Sequence, residues 1–445
     1  MIKTAIRNAK VVNEGQIWEG DILIGDDRII RLGTFDVDPD QDIDLEGDYI
    51  LPGLIDDQVH FREPGMTHKA SISSESKAAV AGGITSFMEM PNTSPPALTQ
   101  ELLQEKYDIA DQSSVANYSF YMGVSNDNYD EVMRTDGNLV CGLKIFMGSS
   151  TGNMLVDDEA QLTRIFKNSP LLIATHCEDE TTVRQNEKFF RELYGDEIPF
   201  ELHPEIRSRQ ACYLSSEFAV SLARKHGTRL HILHISTADE LSLFENESAL
   251  DDKKITSEVC VHHLTFDSND YEEQGGWIKC NPAIKSPHDK EALWQALLDD
   301  RLDVVATDHA PHTISEKSNP YGLCPSGLPL VQHSLIQMLE FSREGKIPLV
   351  RVVDKMAHAP ALCFKIRDRG FIREGYKADL VQIADKMPWR VQQDNVLYKC
   401  GWSPFEGRSF HHQVVRTWVN GQEVFSNGKI TGRIPGERLS FSNNF

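Results

Sequence analysis

The stretch Leu54-Ile55-Asp56-Asp57-Gln58-Val59-His60-Phe61-Arg62-Glu63-Pro64-Gly65 is a short apolar run that takes on polar residues and ends in a turn. In a strand, residues two apart share a face, which predicts that Asp56, Gln58 and His60 point the same way. On the inner face of a closed sheet they would converge on one site.

Seven more runs of this kind follow. The candidate strands are 54–60, 84–90, 117–123, 139–146, 171–176, 229–235, 255–261 and 302–307, and helix-like segments at 155–168, 207–226 and 288–300 lie between some of them. Short apolar strands alternating with longer helical patterns predict βα units and a parallel sheet. Eight units in about 310 residues fit a (β/α)8 barrel with insertions, against a typical ~250 residues.

The ends of these runs repeat one chemistry: His60, Asn92 after the second, Lys144 within the fourth, His176, His234, His262-His263 and Asp308. Barrel enzymes draw their reactive groups from the C-terminal ends of several strands. His176 and His234, taken singly, read as hydrogen-bonded core histidines. Together with Asp308 at a third strand end they read as metal ligands. His231 is three residues before His234, cannot share its face, and is read as structural. His262 and His263 are read as structural or as supports to the site. His68, His203, His226, His288, His411 and His412 are placed in loops or at the surface.

Residues 1–52 and 365–445 carry short alternating strands separated by Gly-Asp and Asp-Asp turns. Neither is long enough for a comfortable sheet domain, so the two are expected to form one small β-sandwich beside a barrel over 53–364. The 445 residues can bury a large core, and no apolar run approaches the roughly 20 residues that span a bilayer. The net charge of −22 argues against nucleic acid or an anionic membrane as partner, and requires a local positive group for any anionic substrate. The eight cysteines, scattered from Cys141 to Cys400 without a CxxC pair, read as reduced thiols in a cytoplasmic protein.

The quoted segment resembles the first-strand signature of the amidohydrolase superfamily, and His60-Phe61-Arg62-Glu63-Pro64-Gly65 is similar to the version found in dihydroorotases. Further resemblances follow in the same order: Gly82–Thr93, Gly142–Gly148 around Lys144, Thr175-His176-Cys177-Glu178-Asp179, His231–Thr237, Ala306–Thr313 and Glu374–Val381. The family carries two first-strand histidines, and this chain has Gln58 in place of the first.

The resemblance implies one or two zinc ions held by Gln58, His60, Lys144, His176, His234 and Asp308, with Lys144 carboxylated. It implies that a water between the ions attacks a cyclic amide while Asp308 serves as general base and then acid. Arg62, Asn92 and His312 match positions that grip the exocyclic carboxylate of dihydroorotate, and Asn281 matches a further substrate contact. The expected activity is therefore reversible hydrolysis of dihydroorotate to N-carbamoyl-aspartate in pyrimidine biosynthesis. The alternatives are another cyclic amidohydrolase, of allantoinase or hydantoinase type, and a non-catalytic dihydroorotase-like subunit. The partners implied are small molecules, and a homo-oligomer is compatible with them.

Overall fold

The computed structural model describes residues 2–148, 154–156 and 158–442, with the backbone alone at Lys386. All eight expected barrel strands are present: Leu54–Val59, Ile84–Glu89, Asn117–Phe120 continuing as Met122–Gly123, Leu143–Phe146, Ile173–His176, Leu230–Ile232, Ile255–Cys260 and Val304–Ala306. Every neighbouring pair along this series is parallel. The third strand changes partners at Tyr121, pairing with the second strand before it and with the fourth after it. The ring closes where Val59 bridges His309 in parallel and the His60 N–H donates to the His309 carbonyl at 2.7 Å.

Side chains such as Leu54, Ile84, Phe87, Leu143, Ile145, Ile173 and Ile232 pack against Ala78, Leu162, Ile165, Ala219 and Leu293 of the outer helices. Each such burial stabilises by roughly 1.5–3 kcal/mol before entropy is counted. Ile55, Met88, Tyr121, Ala174, Leu233 and Val304 form a separate apolar cluster with Phe364, Phe371, Leu439 and Phe441.

Local signals set the helix ends. Ser208 caps Arg209–His226, which stops at the left-handed Gly227, and Ser286 makes a capping box on Pro287–Leu298. The helix expected over 155–168 covers only Glu159–Asn168. Asp158 caps its start by accepting from the Ala160 and Gln161 N–H groups, and Leu155 instead bridges Phe146 beside the fourth strand.

The two chain ends share one nine-stranded mixed sheet. Tyr49–Pro52 from the N-terminal part pairs antiparallel with Leu380–Arg390 from the C-terminal part, with Leu380 opposite Pro52 and Ile383 opposite Tyr49. The N-terminal hairpin turns at Glu14-Gly15, both at positive φ, as a tight two-residue turn between right-twisted strands requires. The expected terminal β-sandwich and (β/α)8 barrel are the architecture of the chain.

Candidate active site

A cavity at the C-terminal ends of the barrel strands is lined by Gln58, His60, Arg62, Lys144, Phe146, His176, His234, Asn281, Asp308, Ala310, Ser326 and Gly327. Eight residues singled out in the sequence therefore meet around one space. Asn92 and His312 stand one contact back: Asn92 bonds His60, and His312 lies against Arg62.

The first strand does not follow simple alternation. Its register shifts between Asp56 and Val59, the mark of a β-bulge. Asp56 turns sideways, accepting from the Thr307 hydroxyl at 2.5 Å, and fastens the first strand to the eighth. Burial pushes Asp56 up to about 8. Asp57 instead lies 3.1 Å from His231 of the sixth strand. The expectation that Asp56 shares the site with Gln58 and His60 is thus corrected, because the bulge breaks the period of two.

His231 also lies 3.4 Å from Glu258, and all three side chains are buried. Against burial, Asp57 and Glu258 push His231 up to about 9, so the imidazole is charged at neutral pH. Glu258 reaches the site by accepting the His234 N–H at 2.9 Å. That bond helps hold His234 at φ 41°, and Asp308 and Arg62 are likewise left-handed at φ 47° and 68°. Non-glycine residues held there cost about 1–3 kcal/mol each, and such strain clusters where side chains must be aimed.

The donor atoms suit a divalent cation. His176 donates Nε2–H to the Glu178 carboxylate at 2.9 Å, which leaves Nδ1 a lone pair facing His234 Nε2 at 2.9 Å. His234 Nδ1 is buried without a hydrogen bond. Against burial, Arg207 and His176 hold Glu178 well below the usual carboxylate range. His60 donates Nδ1–H to Asn92 Oδ1 at 2.8 Å, so its Nε2 lone pair faces Asp308 Oδ1 at 3.1 Å. Two acceptors at that distance call for a proton or a cation between them. Burial pushes His60, His176 and His234 down, keeping the imidazoles neutral, the form that binds metal.

Lys144 is 1% exposed, and its Nζ lies 4.5 Å from the centre of the Phe146 ring. Burial pushes its ammonium down to about 7, against the pull of Asp308 and Glu258.

Gln58 is oriented otherwise than expected of a ligand to these groups. Its Nε2 donates to Asp308 Oδ1 at 3.2 Å, and its Oε1 lies 3.8 Å from Cys260 Sγ.

Arg62 is buried, donates through Nε to the Pro311 carbonyl at 3.2 Å, and has no carboxylate within ion-pair reach among the described residues. Glu63, its sequence neighbour, accepts from the Ile72 N–H instead. His312 accepts at Nδ1 from Lys69 at 3.0 Å and donates Nε2–H to the Ser326 carbonyl at 3.0 Å.

Sequence reasoning missed the Ser326-Gly327 wall. At φ 142° a Cβ on Gly327 would stand 2.4 Å from the Ala310 carbonyl, so only glycine lets this loop close on the cavity. The Pro325-Ser326-Gly327 turn was its only sequence signal. His203, expected at the surface, is fully buried. It bonds Tyr321 Oη and the Cys280 carbonyl, each at 2.8 Å, and so supports the loop that carries Asn281.

Comparison with known proteins agrees with this geometry. The chain is 32% identical over 407 residues to a dihydroorotase of Halobacterium salinarum, covering 89% of this chain and 92% of that one. It is 31% identical over 444 residues to a dihydroorotase of Methanothermobacter thermautotrophicus, covering 98% of each. Among solved structures, L-hydantoinase (dihydropyrimidinase) from Arthrobacter aurescens superposes with a TM-score of 0.93 at 24% identity, over 99% of this chain and 100% of that one. Dihydropyrimidinase from Brevibacillus agri gives 0.89 at 24% identity over the same shares. These two likenesses establish the fold. Residues 49–424 match the amidohydrolase family, whose members are typically metal-dependent, and with that match spanning barrel, cavity and the flanking sheet strands, the chain belongs to the amidohydrolase family.

Proposed function

We propose that the chain is a zinc-dependent dihydroorotase, interconverting dihydroorotate and N-carbamoyl-aspartate. The observation that carries this reading is Arg62, a buried guanidinium in the cavity wall with no carboxylate partner among the described residues. Leaving a buried charge unpaired costs about 3–5 kcal/mol, and a substrate carboxylate would supply the partner. Burial lowers Arg62 only to about 10, which leaves it cationic at neutral pH and able to overcome the chain's net charge of −22 locally.

His60, His176, His234, Asp308 and a carboxylated Lys144 form the donor set for the ions, and imidazole with carboxylate suits zinc. Bound there, the ions supply a water acidic enough to attack at neutral pH and polarise the ring carbonyl. Lys144 at about 7 offers a neutral amine, the form that adds to CO2, and the carbamate would contribute an anionic oxygen to the donor set.

Asp308 takes the proton from the attacking water and returns it to the leaving ring nitrogen. Gln58 holds Oδ1 of that carboxylate by donating Nε2–H to it. Arg62 grips the substrate carboxylate, and His312 lies against the guanidinium. Asn92 commits its carbonyl oxygen to His60, so it meets substrate through its amide nitrogen. Asn281 contributes from the opposite wall. A cytoplasmic location is supported by eight buried cysteines, none of them in a disulfide. Among the described residues no helix is long and apolar enough to cross a membrane.

The test is hydrolysis of dihydroorotate, hydantoin, allantoin and dihydrouracil by protein of measured metal content. Turnover confined to dihydroorotate supports the reading. Comparable kcat/KM on rings without a carboxylate overturns it in favour of a hydantoinase-type enzyme. No turnover by metal-loaded protein overturns it in favour of a non-catalytic subunit.

A further inference from the structure

The seventh barrel strand, Ile255–Cys260, passes directly into a short helix, Val261–Thr265. Cys260 stands at the helix cap, but its side chain makes no capping bond, so the thiol is not committed to the helix end. His262 and His263 follow, with ring centres 4.2 Å apart. All three residues are at most 2% exposed. One donor atom from each lies within 4.8 Å of the other two.

Neither nitrogen of His262 has a hydrogen bond, and Nδ1 of His263 has none. The Thr307 backbone is near enough to favour a charged His262, without hydrogen-bond geometry. Native proteins leave few buried polar atoms unsatisfied, each at about 1–3 kcal/mol, and a cluster of three such nitrogens beside a thiol calls for an occupant.

The tautomers favour a metal over a water. His263 donates Nε2–H to the Pro282 carbonyl at 3.1 Å, which fixes Nδ1 as a lone pair. A ligating histidine usually shows this arrangement, with one nitrogen held by a backbone carbonyl and the other presented to the ion. The Gln58 amide oxygen, 3.8 Å from Cys260 Sγ, supplies a fourth donor. In a tetrahedral zinc site sulfur and oxygen ligands stand about 3.6 Å apart.

We propose that Cys260, His262 and His263 form a second buried metal site that takes a zinc-class divalent ion, with the Gln58 amide oxygen completing the set. The thiol gives its proton to solvent as the sulfur binds. The site stands apart from the catalytic reading, because the catalytic donor set contains no sulfur. Gln58 joins the two, its nitrogen on Asp308 and its oxygen on the second site.

Cobalt substitution of the full-length protein tests this. Chelator-stripped protein titrated with Co2+ should develop a thiolate-to-cobalt charge-transfer band in the near ultraviolet whose final intensity corresponds to one thiolate-bound ion, beside the ions taken up by the cavity. The band should be lost in Cys260→Ser and kept in Cys280→Ser, and zinc content should fall by one equivalent in Cys260→Ser alone. Should Cys260→Ser not fold, His262→Gln and His263→Gln keep the thiol and should each weaken zinc at this site at least tenfold, read by competition with a chromophoric chelator. A cobalt-saturated wild type without a sulfur band overturns the proposal, as does a band that survives Cys260→Ser or zinc affinity unmoved by both histidine substitutions.

Discussion

The guanidinium of Arg62 lies 3.1 Å from Nε2 of His312, a residue 250 positions away in the chain, and the two are buried together at the cavity wall. Burial, reinforced by Arg62, Lys69 and Lys317, pushes His312 well down, so it stays neutral and adds no positive charge beside the guanidinium. The Pro311 carbonyl holds the guanidinium, and no carboxylate stands within ion-pair distance of it among the described residues.

Arg62→Ala should weaken dihydroorotate binding by roughly 2–5 kcal/mol, the range for removing one partner of a buried charge pair. The loss should appear in KM and kcat/KM for dihydroorotate and be small for dihydrouracil, which lacks the carboxylate. Steady-state kinetics on both substrates decide it, and unchanged constants for dihydroorotate would remove the specificity argument.

Asp308→Asn should keep the fold and lower turnover by about 10²–10⁴-fold, the usual contribution of a general base. The amide retains a hydrogen-bonding oxygen for Gln58 but cannot carry the proton. Circular dichroism and metal analysis establish that the variant is intact. Near-normal turnover by such protein would refute the assigned role.

Lys144 should carry CO2. Its ammonium loses its proton near pH 7 in the folded chain, and only the amine form reacts. Carbamate should therefore rise as pH rises through about 7 and fall away below it. Carbon-13 NMR of protein equilibrated with labelled bicarbonate reads the modification directly. A carbamate signal that does not increase across that interval contradicts the account.

The barrel was legible in the sequence because burial on both faces leaves continuous apolar runs, as in Leu143-Lys144-Ile145-Phe146, where one lysine interrupts four buried positions. Strand ends were legible for the same reason, since His176 and Asp308 stand where the apolar run stops. The bulge between Asp56 and Val59 was not, because a period-of-two pattern carries no record of which neighbour a backbone pairs with. Nor were contacts that depend on distant chain, such as Arg62 with Pro311 or His203 with Cys280. Gln58 was legible as a departure, but its orientation depended on Cys260, 202 residues away.

Gln58→His tests what that departure does to the cavity. In the present chain the side chain donates Nε2–H to Asp308 and turns its oxygen away, so an ion near His60 has only one first-strand imidazole to bind. A neutral amide is also a weaker donor for zinc than imidazole. The ion nearer His60 should therefore be held less tightly than the ion served by Lys144, His176 and His234, and protein purified without added zinc should show one strong and one partial equivalent in the cavity, beside the equivalent at the Cys260 site. Gln58→His should raise the partial occupancy towards a full equivalent, and raise kcat where that ion limits the rate. Calorimetric zinc titration of both proteins, with elemental analysis after mild chelation, separates the two affinities. Equal, tight sites in the unmodified chain would show that Asp308 and His60 hold the ion without a second imidazole. The same titration on Gln58→His should show weaker zinc at the Cys260 site, because the substitution removes the amide oxygen that faces Sγ.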